Sequence, residues 1–424
     1  MFSDRTNWKL ARNRLTEAIE QARAAGARIL DLAASNPTRV ALTYDENAIL
    51  GALASPRSLD YDPQPKGLLR AREAVARYYR DDHGVLDLDP EDIVLTTSTS
   101  EGYSHVLRLL CNAGDELLVP KPSYPLFEFL ADLQDVKLVS YPLLYDHGWQ
   151  IDFHSLEKAV TRRTRGVVVV HPNNPTGSYV KASERAQLNA FCGEHDLALI
   201  VDEVFLDYEV DADAGTGMGH VGTGALARPV ERSSTATEAE NDPGSRGGNT
   251  FAANNEVLSF TLSGLSKISA LPQVKVAWIV TSGPASAVTA ATARLEVIAD
   301  TYLSMNAPIQ WAVPALLEQR RSVQRQLLLR VHQNLAELDR QLSGQKACQR
   351  LLVEGGWYAV LRVPVTRSDE DLAIELVREK SVLVHPGHFY DFPGDGYLVL
   401  SLIPTAEEFR EGIQRLLEHQ GSPL

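Results

Sequence analysis

Apolar positions along this chain fall into two rhythms that alternate for most of its length. In 6–26, TNWKLARNRLTEAIEQARAAG, apolar residues recur every three or four positions and the run ends on glycine, which predicts a helix. RILDLAASNPTRV then reads as a short strand entering a loop, and GLLRAREAVARYYRDDHG as an amphipathic helix with a glycine stop. From DIVLTTSTSEG onward, short apolar runs alternate with helical spacing: DELLVP, VKLVSYPL, RGVVVVHPNNPTG, LALIVDEVFLDY and EVLSFTLSGLSK. Unbroken β-branched stretches such as Val167 to Val170 predict strands covered on both faces, the mark of a parallel sheet between helices.

Residues 211–255 break the rhythm with Gly, Ala, Ser and Thr and no period, and are expected to be a mobile surface insertion, with a binding lid as the alternative. Beyond residue 300, QWAVPALLEQRRSVQRQLLLRVHQNLAELDRQLSG predicts one long helix or two. Strands and helices then alternate through GGWYAVLRVP, HPGHFYDF and GYLVLSLI to a closing helix. The expected architecture is α/β: a large domain over 51–300 with a mostly parallel central sheet covered by helices, and a smaller α+β domain from 1–50 and 301–424.

Composition narrows the function classes. A formal net charge of −14 disfavours a nucleic-acid groove or an anionic membrane as partner, and no apolar run approaches the roughly 18 residues of a membrane span. The N-terminal residues lack an apolar signal core, so a cytoplasmic protein is expected. Cys111, Cys192 and Cys348 lie far apart, without the spacing of a disulfide framework or a zinc site, and no metal is expected.

Ligands of open α/β sheets bind beyond the carboxyl ends of the strands. After DIVLT comes TSTSEG, small hydroxyl residues opening a helix; its first N–H groups and dipole suit a phosphate, and equally an ordinary Ser/Thr cap. After GVVVV, HPNNPTG makes a rigid turn that aims Asn174. After LALIV stands Asp202, a carboxylate that needs a cation or donor, or is simply a cap or structural ion pair. Lys267 lies among small and hydroxylated residues in SGLSK, with Lys275 eight positions on.

Taken in order, YDPQPKGLLRAREAVARYY, TSTSEG, KPSYPLF, HPNNPTG, DEVF, SGLSK and HPGHFY resemble the fold type I pyridoxal phosphate enzymes, and within them the class I/II aminotransferases. The resemblance implies pyridoxal 5′-phosphate as cofactor, with Lys267 as the lysine joined to its aldehyde and small neighbours such as Gly264 and Ser266 leaving room for it. It implies Asp202 on the pyridine nitrogen, Asn174 on the ring oxygen and Tyr124 stacked on the ring. It places Ser98, Thr99, Ser100 and Lys275 on the phosphate. Tyr61 matches a tyrosine that reaches the phosphate from a neighbouring subunit, implying a homodimer with shared active sites.

Three departures stand out against that family. Phe205 replaces a common tyrosine, Lys275 a common arginine, and Val399 the arginine that ordinarily clamps the substrate carboxylate. Arg39, in SNPTRV, is the first candidate to replace that clamp and Arg362 the second; Trp357, Tyr358 and His388 are candidate pocket residues. The expected activity is amino-group transfer between an amino acid and a 2-oxo acid. A lyase, decarboxylase or oxidase on the same fold remains open, as does a non-catalytic cofactor-binding protein.

Overall fold

The computed structural model describes residues 1–8, 11–210 and 250–421. Its strands are β1 (Leu30–Asp31), β2 (Ile93–Thr96), β3 (Glu116–Lys121), β4 (Lys137–Tyr145), β5 (Trp149–Ile151), β6 (Thr164–Val170) and β7 (Ala198–Asp202), followed by β8 (Ser259–Gly264), β9 (Ala277–Ser282), β10 (Gln349–Arg350), β11 (Tyr358–Arg362), β12 (Val382–Leu383), β13 (His385–Pro386) and β14 (Tyr397–Ser401). Eight of them form one sheet in the order β2-β9-β8-β7-β6-β3-β4-β5. The run from β8 through β7, β6 and β3 to β4 is parallel, whereas β9 and β5 are antiparallel to their neighbours.

The continuous apolar runs are explained by cover on both faces of this sheet. Val168, Val170, Ile200, Phe260 and Leu262 pack against the helices Thr99–Leu110 and Ala285–Tyr302 through Tyr103, Val106, Leu107, Leu295 and Ala299. Val167, Val169, Leu199 and Val201 face Leu188, Phe191 and Cys192 of the helix Ala182–Glu194. A third cluster joins the helices Leu69–His83 and Ala307–Glu318 to Trp278 and Val280. The first of these helices stops at Gly84, whose φ of 69° is the left-handed conformation that glycine adopts without strain.

The later chain forms an antiparallel sheet, β10-β11-β14-β13, while β1 and β12 make a short parallel pair beside it. Its core joins Leu15, Leu32, Val331, Trp357, Leu400 and Ile413, so both ends of the chain meet here. Phe205, Tyr208 and Ala270 belong to the same cluster, which places this core directly against the edge of the large sheet.

Two sequence expectations change, and one alternative is decided. The first helix begins at Arg14, because the Asn13 side chain accepts the Thr16 N–H at 2.7 Å and ends the helix there as an N-cap. The run after 307 is two helices, Ala307–Glu318 and Arg320–Leu342. Of the expected insertion 211–255, residues 211–249 lie outside the described residues. Most of the rest is core rather than surface: Thr250, Phe251, Ala252 and Asn254 are buried, and the buried Glu203 carboxylate accepts from Thr250 Oγ1 at 2.7 Å and Phe251 N at 2.6 Å. A buried carboxylate next to Asp202 thus fastens the returning chain, a contact that composition alone does not disclose.

Candidate active site

Strand register brings the chemistry to one edge. Val170, Asp202 and Leu262 are successive ladder partners, so the turn bearing Asn174, the end of β7 and the end of β8 lie side by side. Ala277 is the partner of both Thr96 and Gly264. Ser98 lies two residues beyond that level and Lys267 three beyond it, with Lys275 two before Ala277 on the same edge. Gly264 is needed for this meeting: a Cβ there would stand 2.7 Å from Val276 O and 2.9 Å from Ala277 Cα. Its smallness therefore admits the β9 backbone rather than making room for Lys267, as the sequence had suggested.

Lys267 lies in a short helical turn, Leu265–Ile268, held by Tyr208, which donates to Lys267 O at 2.6 Å. The ammonium nitrogen projects among aromatic rings, 4.7 Å from the Trp357 centroid and 5.3 Å from that of Phe205. Burial pushes its pKa down to about 8, against a smaller opposing pull from Asp202. Asp202 accepts from Tyr103 Oη and from Val204 N, each at 3.2 Å. Burial outweighs those donors and the nearby Lys267, and raises its pKa to about 6. Each group feels the other's charge, yet no direct ion pair joins them among the described residues. One bound group can satisfy an amine and a carboxylate held apart in this way.

The helix Thr99–Leu110 starts at the Ser98 cap, which accepts from Glu101 N at 3.2 Å, while Glu101 turns back to accept Thr97 N at 2.6 Å. The N–H groups of Ser98, Thr99 and Ser100 donate no hydrogen bond among the described residues. Three free N–H donors at the positive end of a helix suit an anion. Asn174 is buried and its Oδ1 has no partner, a second unmet polar atom on the same edge. The indole N–H of Trp357, in a fully buried ring, is a third.

The family model for aminotransferase class I and II matches residues 27–416. The chain belongs to this family. It is therefore an aminotransferase, an enzyme whose substrates are amino acids and keto acids. Among curated proteins, it is 24% identical over 400 residues to the glutamate-pyruvate aminotransferase of Haemophilus influenzae, covering 92% of this chain and 90% of that one. It is 26% identical over 401 residues to the alanine aminotransferase of Mycobacterium bovis, covering 93% and 86%. Among solved structures, an alanine aminotransferase from Pyrococcus furiosus superposes with a TM-score of 0.83 at 20% identity, covering 99% of both chains. An aminotransferase from Escherichia coli superposes with a TM-score of 0.80 at 22% identity, covering 100% of this chain and 98% of that one.

In this aminotransferase the remaining expected residues are less gathered. Tyr124 stands at the edge, 46% exposed, near enough to Asp202 for that charge to raise its pKa after burial. Lys275 is exposed in a left-handed turn with φ 56°. Tyr61 is 86% exposed. Arg39 ends the turn Pro37–Arg39 with its N–H donating to Asn36 O at 3.1 Å, and its exposed side chain makes no hydrogen bond or ion pair among the described residues. Arg362 lies outside the aromatic wall, 5.9 Å from the Tyr145 ring and 5.8 Å from that of Tyr397. Val399 is buried in the small core, and His388 is exposed. Tyr103 and Tyr208 were missed in the sequence, although each sits within one or two turns of a recognised motif.

Proposed function

We propose that this aminotransferase works with pyridoxal 5′-phosphate and exchanges the amino group of an amino acid with a 2-oxo acid, the cofactor lying between Lys267 and Asp202. The observation that carries this reading is the separated pair: an amine with its pKa pushed down to about 8 opposite a carboxylate pushed up to about 6, without an ion pair. The unbonded N–H groups of Ser98, Thr99 and Ser100 are the phosphate seat, with Lys275 supplying charge along the same edge. Asn174 offers its unmet amide to the ring, and Tyr124 covers one face. When bound, the cofactor supplies an electron sink for the pair left as the substrate α-proton departs.

The chain's own residues do the rest. Asp202, held by Tyr103 and Val204, fixes a negative charge where the ring nitrogen must stay protonated. A free lysine is almost wholly protonated at neutral pH; with a pKa near 8, a useful fraction of Lys267 is neutral and able to accept the α-proton at Nζ. Tyr208 limits the swing of that amine by anchoring the lysine backbone. Phe205 and Trp357 keep water from it.

The assembled enzyme is a cytoplasmic homodimer in this reading, with the exposed Tyr61 reaching the partner's phosphate seat. The chain divides at about residues 50 and 300 into a cofactor domain and a smaller domain. Arg39 remains an untouched cation on the N-terminal loop. The test is reconstitution with pyridoxal 5′-phosphate, borohydride reduction and peptide mapping. The adduct is expected on Lys267, absent in Lys267→Ala, and an adduct mapped to another lysine overturns the assignment. Alanine and glutamate, after which the relatives reported above are named, are the first donors to assay.

A further inference from the structure

One polar pair in the wall around Lys267 has no part in the chemistry above. His385 Nδ1 and Tyr390 Oη are 2.9 Å apart. Tyr390 is 5% exposed, and burial holds its phenol well above the ordinary range, reinforced by the neighbouring Tyr358 and Tyr124. Burial also lowers the His385 pKa, against a smaller opposing effect of Asp31. Both groups are therefore uncharged near neutrality.

Tyr390 shares one core cluster with Phe205, Trp357 and Tyr358. The Tyr358 ring is 6.1 Å from that of Phe205, and Phe205 is 5.3 Å from Lys267 Nζ. The turn Gly387–Tyr390 is stitched to the loop bearing Tyr124, since Ser123 N donates to Tyr390 O at 2.9 Å and Lys121 pairs with Asp391 at 3.1 Å. His385 is the ladder partner of Val399, so the two side chains stand together on one face of the small sheet. Val399 is 1% exposed and apolar and can donate nothing.

We propose that His385 and Tyr390 form a neutral rest for the carboxylate of a monocarboxylic amino acid with an uncharged side chain. This rests on the aminotransferase chemistry proposed above, because that chemistry brings an amino acid to Lys267. A carboxylate entering a water-poor wall of Phe205, Trp357 and Tyr358 requires donors. Tyr390 donates its single hydroxyl hydrogen to the carboxylate, so His385 carries its proton on Nδ1 and donates it to Tyr390 Oη, which holds the phenol in place; the unpartnered Trp357 indole N–H lies in the same wall. Hydrogen bonds from neutral donors to a charged acceptor are individually stronger than neutral pairs. Among the described residues of this wall, Phe205, Trp357 and Tyr358 carry no charge to meet a side-chain carboxylate, and this sets the preference for uncharged side chains.

Two variants, Tyr390→Phe and His385→Gln, test the pair on the cofactor-loaded enzyme. With alanine and phenylalanine as donors, Tyr390→Phe is expected to raise KM about ten- to hundredfold, the effect of losing a hydrogen bond to a charged group. The kcat should stay within a few fold and the visible absorbance of bound cofactor should not change. His385→Gln, which keeps a polar side chain, should show a smaller rise in the same direction. A second readout needs no turnover: calorimetry with 3-phenylpropanoate, and with the corresponding amide as control. The wild type should prefer the acid, and Tyr390→Phe should lose that preference. An unchanged KM and unchanged acid binding in both variants overturn the proposal, as does a loss confined to kcat. Failure of wild-type amino transfer with intact acid binding would count against the aminotransferase chemistry and leave the carboxylate rest standing.

Discussion

Asp202→Asn should make the cofactor-free protein more stable while removing most of its activity. In the folded chain the Asp202 carboxyl titrates near about 6 instead of 3.8, because burial outweighs its two hydrogen bonds. At about 1.4 kcal/mol per pH unit, holding the ionised form folded costs about 3 kcal/mol above pH 7. The sign follows from proton uptake. Between 3.8 and 6 the folded state holds the proton more tightly than the unfolded state, so wild-type stability falls as pH rises through that window. An uncharged Asn escapes this loss. It also removes the carboxylate that favours the charged form of Lys267 and supplies one acceptor oxygen where there were two, together offsetting about 1 to 2 kcal/mol. The net expectation is a gain of about 1 to 2 kcal/mol at pH 7.5, with the Asp202 contribution falling to roughly half at pH 5. Thermal scans of both cofactor-free proteins at the two pH values measure it, with amino transfer of the loaded proteins assayed alongside. A variant no more stable than wild type at pH 7.5, or a difference independent of pH, would refute the account of Asp202 as a charge held against burial. Activity near wild type would refute its role at the ring nitrogen.

Further outcomes follow from other contacts. Gly264→Ala places a methyl 2.7 Å from Val276 O, so backbone must shift; a loss of about 1 to 3 kcal/mol and weaker cofactor uptake are expected, read by thermal scan and absorbance titration. Thr250→Val removes a donor from buried Glu203, whose pKa burial raises to about 7; destabilisation of about 1 to 3 kcal/mol should be greater at pH 8, where the carboxylate is charged, than at pH 5. The rate of covalent cofactor uptake should climb with pH as Lys267 loses its proton and level off above about 8; a profile still rising to pH 10 in stopped-flow absorbance would show an ordinary exposed lysine.

The alternation of apolar runs with helical spacing was sufficient to expect a parallel sheet between helices, because a strand covered on both faces must be apolar at successive positions. Val167 to Val170 are buried in just this way. The motifs at strand ends were legible for the same reason: Asp202, Asn174, Ser98 and Lys267 each follow an apolar run, and parallel strands deliver their carboxyl ends to one edge. Local sequence could not say which residues from distant segments would meet there. Gly264 owes its identity to β9, thirteen residues and a chain reversal away from it. Thr250 returns to the core because Glu203 waits for it, against the polar composition that surrounds it. His385 and Tyr390 stood only within the HPGHFY motif, whereas His388 was singled out and is exposed. Only the pairing of β13 with β14 sets His385 beside Val399, and only the seam between Ser123 and Tyr390 ties that turn to the loop bearing Tyr124. Periodicity is a property of one segment against its own axis; orientation toward a site depends on the register between segments, and tertiary packing sets that register.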